Sequence, residues 1–120
     1  MGTDTEGSLV IPATRAALYT IKPTVGLISQ EGIVPISELV DSAGPMAKCV
    51  EDIANLLDIL VDPSKTSVPE GGFRKSLVTS WSGLRIGTLD PEDWHYADTL
   101  VKPVAEATFQ MVCTTYVFVA

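Results

Sequence analysis

Hydrophobic positions recur along this chain with two different rhythms. Between residues 50 and 61, Val50, Ile53, Leu57 and Leu60 return at helical spacing, widened by Ala54, Leu56 and Val61, while Glu51, Asp52, Asn55 and Asp58 take the opposite face. The spacing predicts an amphipathic helix over about 50–61. Glu51 and Asp52 fall in its first turn, where the helix dipole favours negative charge, and Asp62-Pro63 ends it. Cys49 falls in the N-cap slot, where Ser or Thr is the stronger cap. Upstream, the runs Leu9-Val10-Ile11, Ala16-Ala17-Leu18-Tyr19-Thr20-Ile21, Gly26-Leu27-Ile28 and Ile33-Val34 are short and bounded by Gly and Pro. Such runs predict short buried strands and tight turns, and Pro12, Pro23, Pro35 and Pro45 interrupt any long helix. Downstream, residues 63–80 read as an exposed loop with Arg74 and Lys75 on a solvated face, and 84–89 as a strand. Asp90-Pro91-Glu92-Asp93 reads as a short helix start. A last helix is expected over about 100–112, with Val101, Val104, Ala105, Thr108 and Val112 on one face and Pro103 in its first turn. Short strands mixed with amphipathic helices place the chain in the α/β or mixed class.

Composition narrows the chemistry. The 120 residues have room for one ordinary domain, and 46% hydrophobic residues supply its core. Lys and Arg number 8 against 15 Asp and Glu, a net charge of −7 with no basic cluster, so no nucleic-acid partner is expected. No apolar run approaches the roughly 20 residues of a membrane helix, and no signal peptide opens the chain, so no membrane span and a cytoplasmic location are expected. Cys49 and Cys113 form no C-x-x-C, and His95 is the single histidine, in the turn Trp94-His95-Tyr96. No Cys/His zinc set can be assembled from them, and neither a metal nor an organic cofactor is expected. A Ser-His-Asp hydrolase would need His95 as base, and no G-x-S-x-G elbow presents a serine to it.

The informative stretch is Gly2-Thr3-Asp4-Thr5-Glu6-Gly7-Ser8-Leu9-Val10-Ile11-Pro12. A serine preceded by glycine, at a helix start with backbone donors converging beside it, supplies a nucleophile and an oxyanion hole in one turn. By itself Gly-Ser before an apolar run is also an ordinary N-cap.

The same stretch resembles the signature of the amidase signature family, approximately G-T-[DE]-x-x-G-S-[ILV]-R-x-P-[AS]. Three further segments resemble the family in order. Ile21-Lys22-Pro23-Thr24-Val25-Gly26-Leu27-Ile28-Ser29 is similar to its K-P-T-x-G turn. Gly32-Ile33-Val34-Pro35-Ile36-Ser37 followed by Asp41-Ser42-Ala43-Gly44-Pro45-Met46-Ala47 is similar to its G-x-x-P and D-x-x-G-[PT] segments, and Val50-Glu51-Asp52-Ile53-Ala54 to the helix that follows. The resemblance covers residues 2–61, thins through Leu84-Arg85-Ile86-Gly87 and is lost after about 112, leaving a divergent apolar tail at 113–120.

The resemblance implies a partial amidase domain over 1–112, an incomplete piece of a fold with a mixed β-sheet core flanked by helices. It implies amide hydrolysis through an acyl-enzyme, with Ser8 as nucleophile. The backbone N–H groups of Thr5, Glu6, Gly7 and Ser8 match the oxyanion-hole segment, and Thr3 and Asp4 are supporting residues. A second serine in a cis peptide and a buried neutral lysine complete the family's triad, and this sequence does not contain their motifs. Lys22 matches the K-P-T turn and not the catalytic lysine. Asp4 matches a position that usually pairs with an arginine two residues after the serine; Val10 stands there, which leaves Arg15 as the substitute. The substrate is expected to be a small-molecule or acyl amide, whether a fatty acyl amide, a small carboxamide or a glutaminyl group on a transfer-RNA-linked acid. The rival expectation is a non-catalytic truncated product or interaction module. Unpaired strands and the uncharged tail from Thr114 to Ala120 point to self-association of the isolated chain.

Overall fold

A computed structural model describes residues 1–80 and 102–115. It is mixed α/β, with two small antiparallel sheets and few helices. The chain divides into two compact units, Met1–Leu77 and Val78–Ala120. In the first, strand β1 (Gly2–Asp4) is followed by helix α1 (Val10–Arg15), β2 (Tyr19–Thr20), β3 (Ser42–Gly44), β4 (Met46–Ala47), α2 (Val50–Leu60) and a 3-10 turn at Phe73–Ser76. The pairing is interleaved: β1 lies antiparallel to β3 with Thr3 opposite Ala43, and β2 antiparallel to β4 with Thr20 opposite Met46. Each pair therefore joins segments more than twenty residues apart. Thr20 Oγ1 reinforces this by donating to the Pro45 carbonyl at 2.8 Å.

Helix α2 begins after Cys49, whose backbone is extended as an N-cap requires and whose side chain makes no capping bond. Ile53, Ala54 and Leu57 are buried, while Glu51, Asp52 and Asp58 are exposed. The core gathers Ile28, Ala43, Ile53, Leu57 and Val61, with Leu27, Ile33, Leu60, Val68 and Phe73 packed against it. Asp58 has a use beyond solvation: its carboxylate accepts the Phe73 N–H at 2.6 Å and holds the 3-10 turn to the helix. Arg74 and Lys75 in that turn are exposed.

Four strand expectations are corrected. Leu9-Val10-Ile11 is not a strand but the entry to α1, and Val10 and Ile11 are 43% and 54% exposed. Only Leu9 and Ala13, four apart, face inward and are fully buried. Pro12 fits because its missing N–H falls in the first turn, where no intrahelical acceptor exists. The run 16–21 shortens to Tyr19–Thr20, since Ala16 to Leu18 close the helix. Gly26-Leu27-Ile28 and Ile33-Val34 lie in turns beside Gly26 and Gly32, both at φ +81°, where reversal leaves no length for a ladder. Ile28 keeps a single antiparallel bridge, to Val61.

In the second unit α3 spans Lys102–Thr115, with Pro103 in its first turn. Its expected inward face is not buried at Val104, which is 65% exposed, nor at Thr108. A valine and a threonine one turn apart offer too little apolar area to enforce burial at those two positions. The expected strand at 84–89, the Asp90-Pro91 helix start, His95 and residues 116–120 lie outside the described residues.

Candidate functional site

The segment from Thr3 to Val10 links the end of β1 to the first turn of α1. Thr3 is exposed on β1, Asp4 is buried at its end, Thr5 and Gly7 are half-buried, and Glu6 and Ser8 are exposed. Ser8 stands at the helix entry, where the Ile11 N–H donates to the Gly7 carbonyl at 2.8 Å. The backbone N–H groups of Thr5, Glu6, Gly7 and Ser8 find no acceptor among the described residues. Unspent donors beside an exposed hydroxyl are what an anion forming at a carbonyl oxygen requires.

Asp4 organises this turn from below. Its Oδ2 accepts the N–H of Leu9 at 2.8 Å and of Val10 at 3.3 Å, so a carboxylate on the strand caps the helix six residues on. Its Oδ1 lies 3.1 Å from the Lys22 ammonium. Burial pushes the Asp4 carboxyl up, but the Leu9 N–H, the Lys22 ammonium and the Val10 N–H outweigh it and hold the group below its ordinary value. The expectation that Arg15 pairs with Asp4 is overturned. Arg15 is exposed at the last turn of α1, whereas Lys22 leaves β2 directly beside the buried carboxylate.

Two further contacts fix Thr5. Lys22 Nζ donates to the Thr5 carbonyl at 2.6 Å, and Thr5 Oγ1 donates to Asp41 Oδ1 at 2.7 Å. Asp41 Oδ2 in turn accepts the N–H groups of Ile36 and Ser37 at 2.7 and 2.9 Å. The Thr5 hydroxyl and the Ser37 N–H together hold the Asp41 carboxyl below its ordinary value against partial burial. Sequence reasoning assigned neither Asp41 nor this use of Lys22. Thirty-six residues separate Thr5 from Asp41, and no spacing rule reaches that far.

A cavity of about 260 Å³ is lined by Gln30, Ile33, Pro35, Glu38 and Asp41, with none of its described lining drawn from Thr3 to Ser8. Among the described residues no group of three or more His, Cys, Asp or Glu is placed to hold a metal ion. None of the described helices is long and apolar enough to cross a membrane.

Residues 1–114 match the family model described as Amidase. A probable amidase of Arabidopsis thaliana is 44% identical over 97 residues, which is 72% of this chain and 19% of the relative. A glutamyl-tRNA(Gln) amidotransferase subunit from Nitrosomonas eutropha is 40% identical over 111 residues, 88% of this chain and 22% of the relative. Its counterpart in Microcystis aeruginosa is 34% identical over 115 residues, 92% of the chain and 23% of the relative. The chain spans about a fifth of the length of these curated relatives. No solved structure matches it.

Proposed function

The chain belongs to the amidase family, and from that premise we infer that it carries the nucleophile turn of a serine amide hydrolase. Ser8 Oγ attacks the carbonyl carbon of an amide, and the carbonyl oxygen takes the negative charge beside the N–H groups of Thr5, Glu6, Gly7 and Ser8. Collapse of the tetrahedral intermediate breaks the C–N bond, releases the amine with a proton, and leaves an ester on Ser8 that water hydrolyses. Asp4 keeps the turn in register with α1, and Thr3 lies opposite Ala43 on the strand that leads into it. The observation that carries the reading is the run of four backbone donors without acceptors ending at an exposed serine, in the segment that matches the family. The names of the relatives, which are amidases and amidotransferase components, agree in placing the chemistry at an amide.

The proton of Ser8 needs a base, and the family's lysine and cis-serine motifs are not in this sequence. Lys22 does not replace them, because its ammonium is engaged by Asp4 and the Thr5 carbonyl. The 120-residue chain alone is therefore catalytically silent. Purified chain is to be incubated with an aryl fluorophosphonate and a panel of aryl amides, beside a full-length amidase into which residues 1–114 are grafted. The chain alone gives no stoichiometric labelling; the graft is labelled and active, and Ser8→Ala abolishes both, with a loss of several orders of magnitude in kcat. A graft whose activity survives Ser8→Ala overturns the assignment of the nucleophile. Labelling of the isolated chain at Ser8 overturns its silence.

A further inference from the structure

Between Thr5 and Ser8 the chain makes no secondary structure, yet both flanks of this short turn lead back to one side chain. On the near flank the Thr5 carbonyl accepts Lys22 Nζ at 2.6 Å. On the far flank the N–H groups of Leu9 and Val10 are held by Asp4 Oδ2, while the other oxygen of Asp4 lies 3.1 Å from the same ammonium. Lys22 is 30% exposed at its side chain and Asp4 fully buried, so the ammonium reaches the pair from the solvent side without being freely solvated.

The peptide unit is planar, and in the trans form its C=O and N–H point in opposite directions. No described peptide bond is cis. The carbonyl that Lys22 grips belongs to the peptide whose N–H is that of Glu6. Drawing the Thr5 oxygen toward Lys22 therefore aims the Glu6 N–H away from it. Thr5 Oγ1, tied to Asp41 at 2.7 Å, stops the residue from swivelling about that grip. Neither contact leaves the Glu6 N–H an acceptor of its own among the described residues.

We propose that Lys22 is a positioning residue for the oxyanion hole: by holding the Thr5 carbonyl and the Asp4 carboxylate at once, its ammonium fixes the orientation of the Thr5–Glu6 peptide and so presents the Glu6 N–H to the reacting carbonyl oxygen. This rests on the assignment of Ser8 and its neighbouring N–H groups above. It assigns no proton transfer to Lys22. A long cationic side chain suits the position because its several donors can serve two oxygens on different residues at once.

The test has two arms. In the ¹⁵N-labelled 120-residue chain, backbone order parameters are measured for the parent, Lys22→Met and Lys22→Arg. A Glu6 amide near 0.85 in the parent and below about 0.6 in Lys22→Met, with α2 amides unchanged and Lys22→Arg largely restored, is the expected result. An unchanged Glu6 amide, or a fall shared equally by α2, overturns the proposal, as does a parent whose Glu6 amide is already mobile. In the graft, Lys22→Met lowers kcat by about 10- to 100-fold with KM within about threefold, the signature of an interaction made mainly in the transition state. Lys22→Arg recovers most of the loss. A Lys22→Met graft with parental kcat, in a background that Ser8→Ala inactivates, overturns the proposal and leaves the nucleophile standing. Activity that survives Ser8→Ala overturns the nucleophile, and the order parameters then decide the Lys22 grip by themselves.

Discussion

The Asp4 carboxylate and the Lys22 ammonium meet at 3.1 Å, and through this pair the end of β1 is joined to the chain leaving β2. Asp4 spends its second oxygen on the Leu9 and Val10 N–H groups, so its removal orphans donors on one side and a cation on the other. Asp4→Ala is expected to destabilise the chain by roughly 1–3 kcal/mol, and Asp4→Asn by less because an acceptor remains. Urea denaturation measures the difference, and faster exchange of the Leu9 amide locates it. A change under about 0.5 kcal/mol for Asp4→Ala would refute the capping role.

Acid should loosen the same turn. Asp4 and Asp41 both titrate below their ordinary value near 3.8 when folded. The unfolded chain therefore takes up protons first as the pH falls. The stability these groups contribute is complete above about pH 5 and is lost progressively as the pH falls through the unfolded value and below it. Denaturation followed between pH 3 and pH 7 should show this fall, reduced in Asp41→Asn. A profile flat down to pH 3 would contradict it.

Gly44 is a packing requirement. A Cβ there would meet the Ile21 carbonyl oxygen, and would lie 2.5 Å from Leu9 Cδ2 and 3.2 Å from Pro23 Cδ. The backbone neighbour cannot step aside as a side-chain end would. Gly44→Ala is expected to cost about 1–3 kcal/mol as overpacking, read from the denaturation midpoint. Gly7→Ala, which would crowd only the mobile end of Ile11, should cost less.

Helix α1 closes with a Schellman arrangement in which Leu18 N–H donates to the Ala13 carbonyl at 2.9 Å and Ala17 N–H to the Thr14 carbonyl at 3.3 Å. The position normally given to glycine is Ala17, at φ 51°. Relief of the left-handed strain outweighs the added freedom of the unfolded chain, so Ala17→Gly should stabilise by about 0.5–1 kcal/mol. A destabilised variant would show that Ala17 is held for another reason.

Leu57 is 8% exposed and sits in the core cluster with Ile53 and Val61. Leu57→Ala is expected to cost about 2–5 kcal/mol. Ile59→Ala, on the exposed side of α2, should change stability by no more than about 0.5 kcal/mol. Equal effects at the two positions would mean that the helix is not packed on this face.

By itself the sequence determined what depends on neighbours along the chain. Helix α2 is legible because its apolar period, acidic first turn and Asp62-Pro63 stop all lie within fourteen residues of one another. The family is legible because the segment Gly2 to Pro12 carries it in consecutive residues. Leu9-Val10-Ile11 was ambiguous for a physical reason: three apolar residues fit a strand or a helix equally, and the Asp4 oxygen that turns them into a helix sits on the preceding strand. Tertiary structure alone decided the partner of Asp4, the use of Lys22 and the tie from Thr5 to Asp41. Those contacts join side chains to groups 17 to 36 residues away, across pairings of β1 with β3 and β2 with β4. Contacts at such separations leave no period in the sequence, because they are set by how the sheets bring distant segments together and not by the spacing within any one of them.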